Sequence, residues 1–313
     1  MKDETMSRAK QTRKNKPGSQ SRKSNPHHGT TKSGEHRSAP KRTDHGHKKS
    51  DESHKKSSNS ENHKNKSGAK LLNPNRRNGF FLHGRNSIEA ALKNPDRDSS
   101  RLIGTERALD AARDLIKLRP DLKVEMVDIE TLNASTSSES PHQGLMLDVL
   151  PLPSPHLDSV SPLEGRKNIV LILDQVTDPH NVGACIRSAA ALGARALITQ
   201  DRNSPMESGV LARTSSGGIE TCPWIRVTNL AHALDELKDM GYWSVGLDGA
   251  TDMSIRDVKA GDNIAIVMGS EGKGLRPLVR KSCDLIAKIP MSGKVESLNV
   301  SNAAAIAMYE LGD

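Results

Sequence analysis

Aromatic side chains are scarce: the 313 residues hold two Phe, two Trp and two Tyr. Six rings are too few for a stacking platform of the kind that binds single-stranded nucleic acid. Recognition of a nucleic acid would therefore rest on charge, hydrogen bonds and shape. Cysteine is equally sparse. Cys185, Cys222 and Cys283 are odd in number and far apart, with no Cys-x-x-Cys pair, which points to reduced thiols in a cytoplasmic protein. No segment approaches the roughly 20 apolar residues of a membrane span. The opening Met1-Lys-Asp-Glu-Thr-Met lacks the apolar run of a secretory signal, and its acids argue against a transit peptide. A cytoplasmic location without membrane contact is the expectation.

Residues 1–70 lack Val, Ile, Leu, Phe, Trp, Tyr and Cys altogether. Such a stretch cannot bury enough apolar area to offset the entropy of ordering, so it reads as a disordered tail. It carries 19 Lys and Arg against 7 Asp and Glu, a net of +12, while residues 71–313 carry a net of −4. The basic character of the chain thus belongs to the tail. A flexible polycation binds polyanions by counterion release, so RNA is the expected partner of the tail, with a purely solubilising extension as the alternative. Its seven histidines show no repeated spacing of a structural metal site, and no metal is expected. Over residues 71–313 the negative balance requires basic residues to be clustered wherever they meet RNA.

Apolar patterning begins near Leu71 and divides the rest into two α/β regions. Residues 71–150 read as a small domain: a strand near Phe80–Leu82, a helix from Ser87 to Leu92, a strand at Arg101, a helix from Glu106 to Leu118, then strands at Val124–Val127 and Gly144–Val149. Residues 151–166 hold four prolines without periodicity and read as a semi-stiff, extended linker. From 167 to 313 strands alternate with helices, starting with the wholly apolar run Ile169–Leu173. That alternation implies an α/β fold with a mostly parallel sheet covered on both faces.

In such sheets ligands bind beyond the carboxyl ends of strands, and three segments fall there. The first, Asp174-Gln-Val-Thr-Asp178-Pro-His-Asn181-Val-Gly183-Ala-Cys-Ile-Arg187, opens a helix whose one charge between Val182 and Ala194 is Arg187. An arginine there either serves chemistry or snorkels to solvent. The second, Gly269-Ser-Glu271-Gly272-Lys-Gly274-Leu275, follows a buried strand. Its glycines allow close approach of backbone to a ligand, or form an ordinary turn. It matches neither the P-loop nor the dinucleotide fingerprint. The third, Ile289-Pro290-Met291 to Ser297-Leu298-Asn299-Val-Ser301, leads into an alanine-rich helix for which Ser297 or Asn299 could be simple caps.

Taken together and in order, these three segments resemble the three motifs of the SpoU (TrmH-like) family of the SPOUT superfamily, over about Asn168 to Glu310. Phe81-Leu-His-Gly-Arg-Asn-Ser-Ile-Glu-Ala-Ala-Leu and His142-Gln-Gly-Leu-Met also resemble the substrate domain of the RlmB-type branch, whose members methylate a guanosine ribose of large-subunit ribosomal RNA. The resemblance implies a catalytic sheet with a C-terminal trefoil knot, a ribosomal-protein L30e-like substrate domain, a homodimer, and S-adenosylmethionine as methyl donor without a metal. It implies that Gly269, Ile289, Leu298, Ser297 and Asn299 hold the donor, and that Asn181, Arg187, Glu271, Ser297 and Asn299 form the catalytic set. The implied activity is methylation of a ribose 2′-hydroxyl in RNA, most naturally a guanosine of 23S ribosomal RNA. Transfer RNA as substrate, or a non-catalytic RNA-binding or ribosome-assembly factor, are the alternatives.

Overall fold

Apolar runs without polar alternation, such as Ile169–Leu173, are stable only when covered on both faces, and the fold supplies that cover. The computed structural model describes residues 72–136 and 141–312. The tail expected over residues 1–70 lies outside them. Two sheets are present among the described residues. The first has strands β1 (Phe80–His83), β2 (Ser99–Gly104), β3 (Lys123–Met126) and β4 (Leu145–Val149) in the order β1-β4-β2-β3. β4 is antiparallel to both of its neighbours, and β2 pairs with β3 in parallel. Around it lie α1 (Arg85–Lys93), α2 (Glu106–Ala111), α3 (Arg113–Ile116) and α4 (Ile129–Ser135).

The second sheet is wholly parallel: β5 (Asn168–Leu173), β6 (Ala196–Gln200), β7 (Trp224–Val227), β8 (Trp243–Leu247), β9 (Asn263–Met268) and β10 (Leu285–Ala287), in the order β10-β8-β9-β5-β6-β7. Its helices are α5 (Pro179–Ala191), α6 (Gly209–Ser215), α7 (Leu230–Asp239), α8 (Pro277–Ser282) and α9 (Val300–Gly312). All six residues of β5 are buried. Each Leu, Ile or Val so covered contributes about 1.5–3 kcal/mol of transfer free energy. The chain leaves β5 in one direction for β6 and β7, then returns to lay β9 on its other side. β5 and β9 therefore flank the switch point at which open parallel sheets bind ligands.

Several elements depart from the sequence-based expectations for local reasons. The helix expected over Glu106–Leu118 is interrupted at Ala112, whose amide is shared between the Ala108 and Leu109 carbonyls and whose ψ is near zero. α5 begins three residues earlier than periodicity suggests, because Asp178 caps it through the His180 amide at 2.9 Å and Pro179 suits the first helical position. The proline-rich segment is not simply extended. A 3₁₀ turn at Leu157–Val160 buries both of its apolar residues in the core under β5 and β6, and Tyr242 Oη donates to the Val160 carbonyl at 2.6 Å.

The apolar core is continuous between the two sheets: Leu82, Ile88 and Leu92 belong to the same cluster as Leu211, Ala212 and Ile219. Polar groups pin this junction. The Arg97 side chain is fully buried, and Nη2 lies 2.7 Å from both Glu207 Oε1 and Glu220 Oε1. Nη1 donates to the Leu150 carbonyl at 2.7 Å. Asn94 Nδ2 donates to Glu220 and the Leu152 amide to Glu207, each at 2.8 Å. Burial raises the Glu207 pKa against the opposing pull of Arg97. All three cysteines are free, and burial pushes their thiols up to about 12, which keeps them protonated and unreactive. No helix among the described residues is long and apolar enough to cross a membrane.

Candidate functional site

The loop after β9 folds back on itself at once. Ser270 and Gly274 form an isolated bridge, with the Gly274 amide donating to the Ser270 carbonyl at 2.9 Å. A Cβ on Gly269 would stand 2.1 Å from the Gly274 carbonyl carbon, so only glycine permits this closure. Its far end is anchored by Asp174, a fully buried carboxylate at the end of β5. Asp174 accepts from the Arg276 amide at 2.9 Å and from Arg276 Nε at 2.7 Å, while Arg276 Nη2 donates to Gln200.

The hairpin-like loop so formed presents Glu271 to the first turns of α5 and α9. Glu271 Oε1 accepts from Asn181 Nδ2 at 3.0 Å, from Asn299 Nδ2 at 2.9 Å and from the Val300 amide at 3.4 Å. Asn299 Nδ2 also reaches Asn181 Oδ1 at 2.9 Å, and Asn299 Oδ1 accepts from the Ser301 amide and hydroxyl at 2.9 and 2.6 Å. One residue from each of the three segments thus meets in a single hydrogen-bonded corner. Asn299 caps α9 and joins the corner at once.

Beside the corner is a cavity of about 360 Å³ at the carboxyl ends of β8, β9 and β10. Gly269, Glu271, Ile289, Ser297 and Leu298 line it, together with Asp248 and Met268. Its size lies within the roughly 300–1,000 Å³ range of small-molecule sites. Glycine backbone, apolar Met268, Ile289 and Leu298, and a few carboxylates suit a ligand with an aromatic base and an amino-acid end. Asn181 and Asn299 reach the cavity only through Glu271. Arg187 stands apart from all of these. Six residues after Asn181 on α5, it is turned about 120° around the helix. It is exposed and makes no hydrogen bond or ion pair among the described residues. Its backbone lies against Gly218, where a Cβ would come within 3.1 Å of the Arg187 Cα.

With this geometry established, comparison with known proteins gives a consistent answer. Residues 168–309 match the model of the SpoU rRNA Methylase family, and residues 81–155 match that of RNA 2′-O ribose methyltransferase substrate binding. The chain is 36% identical over 238 residues to the 23S rRNA (guanosine-2′-O-)-methyltransferase RlmB of Vibrio vulnificus, covering 74% of this chain and 95% of that one. The chain belongs to the SpoU rRNA methylase family. A Bacillus subtilis protein named for the TrmH family of tRNA/rRNA methyltransferases, YacO, is 35% identical over 74% of this chain and 94% of its own. Among solved structures, the SpoU methyltransferase AviRb from Streptomyces viridochromogenes, in complex with the cofactor AdoMet, superposes with a TM-score of 0.64 at 26% identity. It covers 74% of this chain and 89% of that one.

Within this SpoU chain, the sequence reading gave no role to two residues that shape the site. Asp174, which opens the first segment, and Arg276, directly after the second, fix the glycine loop. Their signal was a buried-strand run ending in a carboxylate, followed by an arginine directly after Leu275. Among the described residues no group of three or more His, Cys, Asp or Glu could hold a metal ion.

Proposed function

We propose that the protein transfers a methyl group from S-adenosylmethionine to a ribose 2′-hydroxyl of RNA, at a guanosine of large-subunit (23S) ribosomal RNA. The observation that carries this reading is the convergence of Asn181, Glu271 and Asn299 at the rim of the 360 Å³ cavity in a SpoU-family chain. When bound, S-adenosylmethionine supplies an activated methyl on a sulfonium. The backbone around Gly269, Ile289 and Leu298 holds that donor, with Ser297 and Asn299 at its edge. The chain's own task is to align the hydroxyl and to stabilise charge growing on its oxygen. Arg187 provides that stabilisation. A guanidinium scarcely deprotonates in proteins, so the proton leaves to water or phosphate rather than to Arg187.

The same reading assigns residues 71–150 to RNA substrate binding, 151–166 to a linker and 167–313 to catalysis, with an L30e-like fold for the first and a trefoil knot in the last. It also takes the protein as a homodimer. In support, Ile306 and Tyr309 are exposed three residues apart on α9, an apolar strip on a helix packed against α5. The tail adds RNA affinity without sequence preference. Deleting residues 1–70 is expected to leave donor binding unchanged and to weaken RNA binding, most strongly at low salt, by filter binding across ionic strengths.

The test is methyl transfer from radiolabelled donor to unmethylated large-subunit ribosomal RNA and to total transfer RNA. Label on ribosomal RNA that maps to a 2′-O-methylguanosine is expected. Label on transfer RNA alone would overturn the substrate, and a donor that binds without transfer to either RNA would overturn the enzymatic reading.

A further inference from the structure

A cavity of about 900 Å³ lies not at the donor site but between the two sheets' helices. α1, α2 and α6 wall it, and three arginines line it, one from each: Arg85, Arg107 and Arg213. Glu89 is its one acidic lining residue, and Lys93 holds that carboxylate at 2.8 Å. Arg85 and Arg107 are exposed and have no ion-pair partner among the described residues. In a folded region whose net charge is −4, three guanidinium groups gathered in one cleft, with Arg85 and Arg107 unpaired, are the clustering that the composition demands.

The floor of the cleft also offers hydrogen-bond donors. Gly84 (φ 85°) turns the chain into α1, and the Arg85 amide is taken by Gln143 Oε1 at 2.8 Å. The next two amides, of Asn86 and Ser87, have no acceptor within their own helix. The side chains of Asn86, Thr105 and Ser216 add polar groups to the wall. Three guanidinium groups on three helices suit successive phosphates of a chain better than a single small anion.

The cleft is joined to the catalytic elements by one short segment. Asn86 Nδ2 donates to Ser216 Oγ at 3.3 Å, and Ser87 Oγ donates to the Ala212 carbonyl at 3.2 Å. A Cβ on Gly217 would meet the Ala90 Cβ at 2.8 Å, and the next residue, Gly218, abuts the Arg187 backbone. Residues 213–218 therefore run from the cleft wall to Arg187. A strand lying in the cleft and leaving past Ser216 arrives beside that arginine.

We propose that this cleft seats the phosphate backbone of the RNA strand that carries the target ribose. Arg85, Arg107 and Arg213 neutralise phosphates there, and the strand continues along residues 216–218 to Arg187. The proposal rests on the reading of this chain as an RNA methyltransferase and adds where its substrate runs. It explains why the substrate-binding sheet is fixed rigidly to the catalytic one: a groove built from both would lose its register if they moved.

The full-length protein is compared with two double variants, Arg85→Gln/Arg107→Gln in the cleft and Arg113→Gln/Lys117→Gln at the exposed start and C-cap of α3 as a matched loss of charge. Binding to an unmodified large-subunit ribosomal RNA transcript is measured against salt, alongside donor binding and steady-state methyl transfer. The cleft variant is expected to weaken RNA binding about tenfold and to reduce the salt slope by about 1.4, from two lost phosphate contacts. The RNA KM should rise with kcat within about threefold, and donor affinity should not change. A salt slope equal to wild type, or an equal fall in both double variants, would overturn the cleft assignment. Wild-type protein that binds this RNA through the cleft yet transfers no methyl would instead defeat the enzymatic reading and leave the cleft standing.

Discussion

Two polar clusters join distant parts of this chain, and they treat solvent in opposite ways. At the junction of the sheets, the side chains of Arg97, Glu207 and Glu220 are 0%, 5% and 1% exposed, and backbone groups of the segment after β4 complete the set. At the ends of β5 and β9, Glu271 and Asn299 are exposed and Asn181 is half-buried. Three donors crowd onto Glu271 Oε1, and the corner remains open to the cavity beside it. The first arrangement is costly to desolvate and can do nothing but hold geometry. The second contributes little to stability and leaves polar atoms free to meet reagents. Charge buried between sheets marks a structural fixture; polar groups gathered at an open rim are placed to meet a ligand, as the proposed function requires.

The difference is broken most severely by Arg97→Ala. It leaves two buried carboxylates without their cation and is expected to cost about 3–5 kcal/mol, read as a lower denaturant midpoint. Adding Glu207→Gln and Glu220→Gln to Arg97→Met should return much of that loss, since it removes the unpaired charge. No recovery would show that the cluster's hydrogen bonds, rather than its charge balance, hold the junction.

Asn299→Ala should produce the opposite division. The lost cap and exposed bonds are expected to lower stability by about 1 kcal/mol, while methyl transfer falls by two orders of magnitude or more. Both are read on the same preparation by chemical unfolding and labelled-donor assay. A variant with ordinary transfer would show that Asn299 is a cap and nothing else.

The smallest effect at neutral pH belongs to His83, on the wall of the basic cleft. Burial, then the positive charges of His142 and Arg213, lower its pKa from 6.5 to about 4. The fold thus accommodates the neutral ring. Its contribution to stability is whole above pH 6.5 and is lost as pH falls toward about 4. His83→Gln should leave the melting temperature at pH 7.5 nearly unchanged and flatten its decline between pH 6.5 and 4. An identical decline in both proteins would place the acid sensitivity elsewhere.

The same contrast governs what could be read in the sequence. The exposed corner was legible because its members sit in compact motifs at strand ends, where residue type and order carry the signal. The parallel sheet was legible from unbroken apolar runs such as Ile169–Leu173. The Arg97 cluster was not, since its partners are 110 to 123 residues away and each alone resembles a surface charge. α4, α6 and α8 have six or seven residues each, too short for a helical period to emerge. They depend on caps, such as Ser208 accepting from the Leu211 amide, and on packing supplied by the rest of the fold. The break at Ala112 and the buried turn at Leu157–Val160 are tertiary effects of the same kind.

The central claim is that Arg187, set apart from the donor cavity, acts on the RNA hydroxyl and not on the donor. Equilibrium donor binding and single-turnover methyl transfer, measured on wild type and Arg187→Ala with unmethylated large-subunit ribosomal RNA, test it most directly. The account predicts donor affinity within about twofold of wild type and transfer reduced at least a hundredfold, a loss of about 2.7 kcal/mol or more in transition-state stabilisation. Transfer and donor affinity falling together would contradict it and make Arg187 part of the donor site or its scaffold.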